Sequence, residues 1–339
     1  MTQNYSHKAE LPLLPCRIAV VIPCFKVTRH ILAVLATIGP EVSRIVVVDD
    51  ACPESSGDFV ATHTTDPRIM VVRHAFNKGV GGAVVTGYEA AMADGCDIMV
   101  KLDGDGQMNP CLIPAFVEPL HRGLADYAKG NRFFDIETVR AMPAVRLWGN
   151  AALSFWSKLS TGYWHVFDPT NGYTAIRSSV AQHLRLHKLS ERYFFESDML
   201  FRLSTLRAVV VDIPMVSHYA DETSHLQVRS IVVEFAVKHL RNFAKRLAYN
   251  YFVRDVSLAS FELVFGLLLM TAGAGYGAWH WMQSAHAGIT TPAGTVMMAA
   301  FPMLVGFQLL LAFVGADIAA VPKQPVGHAL ARQAPSWKT

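Results

Sequence analysis

A mostly parallel α/β domain followed by a two-helix membrane hairpin is the fold class that the sequence predicts. Three observations predict it. Short apolar, β-rich runs alternate with helix-like segments over residues 17–129. Pro and Asp residues recur at the ends of those runs. Two apolar segments, Leu258 to Trp281 and Ala293 to Ala316, each exceed the roughly 20 residues needed to cross a bilayer.

The elements follow in order. Arg17 to Ile22 reads as a strand ending at Pro23, and Arg44 to Val48 as a second ending at Asp49-Asp50. Ile69 to Arg73 is a third. Asp97 to Leu102 is a fourth, running into Asp103-Gly104-Asp105-Gly106-Gln107. Val80 to Ala93 is the clearest helical pattern between them. In such sheets ligands bind beyond the carboxyl ends of the strands, where Pro23, Asp49, Asp50, Asp103 and Asp105 all fall. Residues 130–224 are less regular. They carry three polar clusters able to close a site: Gly130-Asn131-Arg132, Asp168-Pro169-Thr170-Asn171-Gly172-Tyr173 and Glu196-Ser197-Asp198. The predicted division is a tail (1–16), the α/β domain (17–224), amphipathic juxtamembrane helices (225–255), two spans (256–320) and a loose C-terminal tail (321–339).

The 339 residues suffice for one large domain with an appendage. A net charge of +3 is too small to point to nucleic acid, but its distribution is informative. Lys238, Arg241, Lys245, Arg246 and Arg254 precede the first span, and Lys323, Arg332 and Lys338 follow the second. The connection from Gln283 to Pro292 has neither Lys nor Arg. The positive-inside rule then puts both ends, and the N-terminal domain, on the cytoplasmic side of the inner membrane. Val228, Val232, Phe235, Leu240, Phe243, Leu247 and Tyr251 approximate an apolar stripe with the basic residues largely off it. That pattern predicts an interfacial helix, with a helix packed on the domain as the alternative. Glu262 near the start of the first span is either functional or reaches the interface. The polar N-terminus shows no export signal. Five cysteines without a CxxC pair predict neither a disulfide framework nor a zinc site.

Two carboxylates one residue apart at a strand end, with glycines between and after, form an oxygen-rich corner. Such a corner suits a hard divalent cation that also holds a diphosphate; a plain Asp-Gly turn is the alternative. Asp49 or Asp50 can accept from a nucleotide base N–H or cap a helix. Asn77-Lys78-Gly79-Val80-Gly81-Gly82 opens a helix but fails the GxGxxG pattern at Val84. Its glycines serve close approach to the nucleotide or to the sheet. Glu196 and Asp198 are base candidates beside aromatic residues, or acids favoured at a helix start. Arg202 and Arg229 bind phosphate or pair locally. His74, His165 and His218 lack metal-like spacing.

With these residues the chain resembles glycosyltransferase family 2, and within it the polyprenyl-phosphate glycosyltransferases related to dolichyl-phosphate mannose synthase. The resemblance spans roughly residues 17–255. It runs through Val20-Val21-Ile22-Pro23, Val46-Val47-Val48-Asp49-Asp50, Asn77-Lys78-Gly79 and Lys101-Leu102-Asp103-Gly104-Asp105-Gly106-Gln107. It continues through Lys129-Gly130-Asn131-Arg132 and the Asp168 to Tyr173 run. The resemblance implies a GT-A fold, a nucleotide-sugar donor and Mg2+ or Mn2+ at Asp103, Asp105 and Gln107. It implies nucleotide contacts from Pro23, Phe25, Asp49, Asp50, Asn77 and Gly79, with Arg132 facing phosphate or the acceptor and Asp168 near the reacting centre. Where the family usually carries Asn-Glu in the first loop, Lys26-Val27 stand here, so donor identity does not carry over. The implied reaction is an inverting transfer of one sugar to a polyprenyl phosphate. A phosphate monoester is largely ionised above its second pKa of ~6, which lowers the need for a protein base.

A processive polysaccharide synthase would need a Gln-x-x-Arg-Trp motif and more spans; Gln227-Val228-Arg229-Ser230 does not fit. A non-catalytic membrane-anchored nucleotide-binding module would not need three acidic clusters at one sheet edge. A nucleotidyltransferase would need a Gly-rich, basic loop after the first strand, which Pro23-Cys24-Phe25-Lys26 is not. Gly273-Ala274-Gly275-Tyr276-Gly277 offers close packing to the second span or to a homo-oligomer partner.

Overall fold

The computed structural model describes residues 16–134, 144–215 and 228–333. The predicted tail before Cys16, His218, and the side chains of Val228, Arg229 and Val232 lie outside the described residues. The chain divides into two units, Met1–Leu240 with Pro322–Thr339, and Arg241–Val321.

The first unit begins with β1 (Ile18–Cys24), α1 (Ile31–Ala36), β2 (Val42–Asp49), α2 (Ser56–His63), β3 (Ile69–Arg73), α3 (Gly79–Ala93) and β4 (Ile98–Lys101). It continues through α4 (Ile113–His121), β5 (Tyr127–Asn131), α5 (Ala144–Thr161), β6 (Thr174–Arg177), α6 (Ser178–Ala181), α7 (Phe195–Leu206) and β7 (Val210–Pro214). The strands form one seven-stranded sheet, ordered β3-β2-β1-β4-β6-β5-β7. Only β6 runs antiparallel to its neighbours, β4 and β5. The unbroken Val/Ile runs of β1 and β2 are buried, as parallel strands covered on both faces require. The core on one side joins these strands to α1 and α4, where Phe116 stacks on Tyr173 at 4.1 Å.

The four predicted strands are present, with ends shifted by one or two residues. β1 does not stop at Pro23; it continues to Cys24, and Pro23 pairs with Val48. The mixed half, β5 to β7, was unread in the sequence because its strands are short and carry Lys129, Asn131, Thr174 and Asp212.

The predicted loose tail is corrected. Gly327–Ala331 is a helix (α11 below) held in the first unit. The buried Asp126 carboxylate accepts from the N–H groups of Val326 (3.0 Å) and Gly327 (2.7 Å), as well as Val209 (2.8 Å). An N-terminal acceptor 200 residues away in sequence leaves no local signal.

Helix α8 (Val228–Ala248) keeps part of the predicted stripe: Phe235, Phe243 and Leu247 are partly buried and Tyr251 beyond it is buried, whereas Leu240 is exposed. Its buried positions include His239, Asn242 and Arg246, whereas Val233, Val237 and Leu240 are exposed. In the second unit α9 (Leu258–Ala287) and α10 (Ala293–Ala319) are the two membrane-length helices, and each extends past the predicted end. They meet through small residues. A Cβ on Gly273 would lie 2.7 Å from Ala299 O, and one on Gly306 2.8 Å from Gly266 O. The glycine surface therefore serves the two spans of one chain at Gly273 and Gly277, while Gly275 faces open space. Arg246 is not directed at headgroups. It forms a buried ion pair with Asp317 at 2.6 Å, to which the Tyr251 hydroxyl also donates at 2.6 Å. After α10 the chain enters α11 (Gly327–Ala331).

Candidate active site

β4 delivers its chain end straight into the acidic turn. Asp103 and Asp105 are both partly exposed there. Asp105 Oδ1 accepts from Gln107 N at 2.9 Å, and Gly106 takes the φ of +81° that closes the turn. The turn reading and the cation reading thus coexist in one loop.

Behind this turn lies a buried charged row that the sequence reading gave no role. Lys101 pairs across the sheet with Thr174, and Thr174 pairs with Lys129, so the three share one face. Lys101 is fully buried. Its Nζ lies 2.9 Å from Asp103 Oδ1 and 3.5 Å from Glu196 Oε1. Burial pulls the Lys101 ammonium down, but Asp103 and Glu196 outweigh it and hold its pKa above the ordinary lysine value. Lys129 donates to Asn171 O at 2.5 Å. Its burial prevails over the attraction of Glu196 and Asp168, and its pKa falls to about 8. Gly172 follows Asn171, and a Cβ there would run into the Lys101 ammonium and the Asp103 carboxylate. A signal was available in the sequence: Lys101 is a charge inside the otherwise apolar run Ile98 to Leu102.

β5 ends beside a second pair. Arg132 Nε donates to Asp168 Oδ2 at 2.6 Å and Nη2 to Asp168 Oδ1 at 2.9 Å. The buried Asp168 therefore has both oxygens engaged by one guanidinium, a bidentate geometry that fixes the plane of both groups. The loop carrying Asp168 is held by β7: Asp212 Oδ2 accepts from Phe167 N at 3.0 Å and Asn131 Nδ2 at 3.1 Å. Burial outweighs the hydrogen bond from Phe167 N–H and raises the pKa of the Asp212 carboxyl above the ordinary value.

The carboxylates at the end of β2 face inward. Asp49 accepts from Cys52 N (2.8 Å) and Gly57 N (2.6 Å), the latter in the first turn of α2. Asp50 accepts from Lys78 N (2.8 Å), Gly79 N (2.7 Å) and His74 Nδ1 (2.7 Å). Asn77 Nδ2 donates to Asp50 O at 3.1 Å. Gly81 and Gly82 donate to Glu191 O. The glycines at the start of α3 thus serve close packing, with φ +83° at Gly79. Asp49, Asp50, Asn77 and Gly79 form one interlocked wall. Pro23 and the exposed Phe25 stand at the same strand edge, where Lys26, Ala51 and Ser55 are held at positive φ. Such clustered backbone strain is found at functional edges.

Glu196 sits with Lys101, whereas Asp198 accepts from Ser190 N at 3.0 Å and lies 3.4 Å from Arg202 Nη2. Arg202 thereby pairs locally. His74 and His165 contact Asp50 and Val210 O respectively, consistent with structural roles.

Among the described residues no three His, Cys, Asp or Glu side chains converge as a ready-made metal cage. The acidic turn still fits a hard cation. Asp103, Asp105 and the Gln107 amide offer oxygen donors on one tight loop, and a diphosphate would complete the coordination.

The family model for glycosyl transferase family 2 matches residues 19–185. These residues form a glycosyl transferase family 2 domain. An undecaprenyl-phosphate mannosyltransferase of Micrococcus luteus is 29% identical over 203 residues, covering 59% of this chain and 82% of that protein. A polyprenol monophosphomannose synthase of Mycolicibacterium smegmatis is 28% identical over 206 residues, covering 59% and 76%. Among solved structures, glucosyl-3-phosphoglycerate synthase from Mycobacterium tuberculosis in complex with UDP aligns with a TM-score of 0.53 at 17% identity. The alignment covers 68% of this chain and 80% of that one. The same enzyme with Mn2+, UDP and glucosyl-3-phosphoglycerate gives 0.51 at 18%, with the same coverage. The family 2 domain has the GT-A fold, and both pairs described above lie at the strand-end edge of its sheet.

Proposed function

We propose that the protein transfers one sugar, with inversion, from a nucleoside-diphosphate sugar to a polyprenyl phosphate at the cytoplasmic face of the inner membrane. The observation that carries this reading is the joint presence of a family 2 domain similar to polyprenyl-phosphate mannosyltransferases and two membrane-length helices in one chain. A lipid acceptor gives the two helices a purpose that a soluble acceptor would not.

In this reading the nucleotide lies along the wall made by Pro23, Phe25 and the loops that Asp49, Asp50, Asn77 and Gly79 hold together. Asp103, Asp105 and Gln107 would hold Mg2+ or Mn2+. Such a cation would supply charge neutralisation to the departing diphosphate. Lys101 fixes Asp103 from behind, and Gly172 allows that approach. Arg132 brings a fixed positive charge suited to a phosphate, with its Nε–Nη2 edge held by Asp168. Asp168 orients that guanidinium, and its engaged oxygens favour this role over that of a base. The acceptor phosphate, already ionised, attacks without needing a carboxylate to take its proton.

Asp105→Ala tests the assignment of the acidic turn. The expected outcome is a loss of metal-dependent transfer of at least 100-fold, with far-UV circular dichroism unchanged. Near-normal turnover in that folded variant would remove Asp103, Asp105 and Gln107 from the reaction.

A further inference from the structure

The end of β5 holds the Asp168 loop at two points. Lys129 Nζ donates to Asn171 O at 2.5 Å, and three residues later Arg132 grips Asp168 through Nε and Nη2. Asp168 and Asn171 close a turn between them, with Asn171 N donating to Asp168 O at 3.4 Å. Strand end, two cations and turn therefore form one ring. Lys129 is its fully buried side, and Arg132, with a side chain 22% exposed, is its open side.

The turn has little other anchorage at Asn171. Its side-chain Oδ1 is spent on Tyr173 N at 2.9 Å, which leaves the main-chain carbonyl to Lys129. Gly172, the next residue, packs against the Lys101 ammonium and the Asp103 carboxylate. A shift of the turn would thus be felt both at Arg132 and at the acidic turn. A single carbonyl can be satisfied by a water or an amide, and a buried ammonium is the more costly choice.

We propose that Lys129 is a positioning residue: its ammonium fastens the Asp168–Asn171 turn and, through that turn, sets the Arg132 guanidinium toward the acceptor phosphate. The catalytic consequence rests on the proposed transfer reaction; the fastening of the turn does not. The charge on Lys129 strengthens the hold, since a charge-assisted hydrogen bond is the stronger kind. Burial brings its pKa to about 8, against attraction from Glu196 on α7, Asp168 in the turn and Asp212 on β7, and with repulsion from Lys101 on β4. At pH 9 only about a tenth of the ammonium remains. Turnover therefore falls between pH 7 and pH 9 as the hold weakens.

The test compares full-length parent and Lys129→Met in detergent, with two readouts. Hydrogen–deuterium exchange at pH 7 reads the turn. The expected result is exchange about tenfold faster across 168–174 in the variant, with β1 and β2 unchanged. Transfer to polyprenyl phosphate, from whichever radiolabelled nucleotide sugar labels lipid with the parent, reads the reaction. The expected kcat is lower by about 30-fold at pH 7, with the KM for the donor within about threefold. Parent kcat should also fall about tenfold from pH 7 to pH 9, and that of the variant less than about twofold, a split that a merely structural lysine would not produce. Unchanged exchange at 168–174 would overturn the fastening, and a loosened turn with parent-like kcat would overturn the catalytic role. If Lys129→Met does not fold, the parent decides alone: exchange across 168–174, corrected for its intrinsic pH dependence, must quicken from pH 7 to pH 9 relative to β1 and β2. A parent that transfers no sugar would count against the transfer reaction, and exchange would still decide the fastening.

Discussion

Replacing Lys101 by Met removes the cation between Asp103 and Glu196 while nearly preserving side-chain volume. Lys101 is fully buried, and its partners differ: the Asp103 side chain is 29% exposed and that of Glu196 11%. Stripping one partner from a buried ion pair costs about 3–5 kcal/mol, because the remaining charge is left uncompensated. Asp103 can regain water, so the low end applies, about 3 kcal/mol. At about 2–4 °C per kcal/mol for a domain of this size, the apparent melting temperature falls by roughly 6–12 °C. Adding Glu196→Gln removes the stranded charge, and the double variant should recover about half of the loss. The assay is thermal unfolding of full-length protein in detergent, followed by intrinsic fluorescence at one scan rate. A Lys101→Met variant as stable as the parent, or a double variant no more stable than the single one, would refute the buried-triad account.

Arg132→Lys keeps a positive charge but loses the fork on Asp168. The expected result is a fall in kcat of about 100-fold with the KM for the nucleotide sugar within about threefold, since a positioned charge acts mainly in the transition state. His239 gives a pH prediction. Burial holds its pKa at about 4 against an ordinary 6.5, so the unfolded chain binds the proton more readily between those values. Stability falls as pH drops through that window, by about 2 kcal/mol at pH 5. Unfolding midpoints at pH 7 and pH 5 should therefore differ less in His239→Gln than in the parent.

The parallel half of the sheet was legible because β1 and β2 carry Val/Ile-rich runs followed directly by Pro23 and by Asp49-Asp50. The acidic turn was legible for the same reason: a strand that stops at a Gly-flanked pair of acids leaves a local trace. The mixed half was not, because β5 and β6 carry the polar row Lys129 and Thr174, whose burial depends on partners far away in sequence. Asp49 and Asp50 show the converse limit. Their types and positions fit nucleotide recognition, yet backbone N–H groups from Cys52, Gly57, Lys78 and Gly79 surround their oxygens. The docked tail escaped for a related reason. An Asp126 cap 200 residues away cannot be read from spacing.

The most direct test of the central claim is product formation. Membranes containing the full-length protein are incubated with a panel of radiolabelled nucleotide sugars and a polyprenyl phosphate, with and without Mn2+, and lipid-linked label is measured. The account predicts label in the lipid fraction from at least one donor, dependent on Mn2+ and absent with Asp105→Ala. Folded protein that yields no lipid-linked sugar from any donor would contradict it.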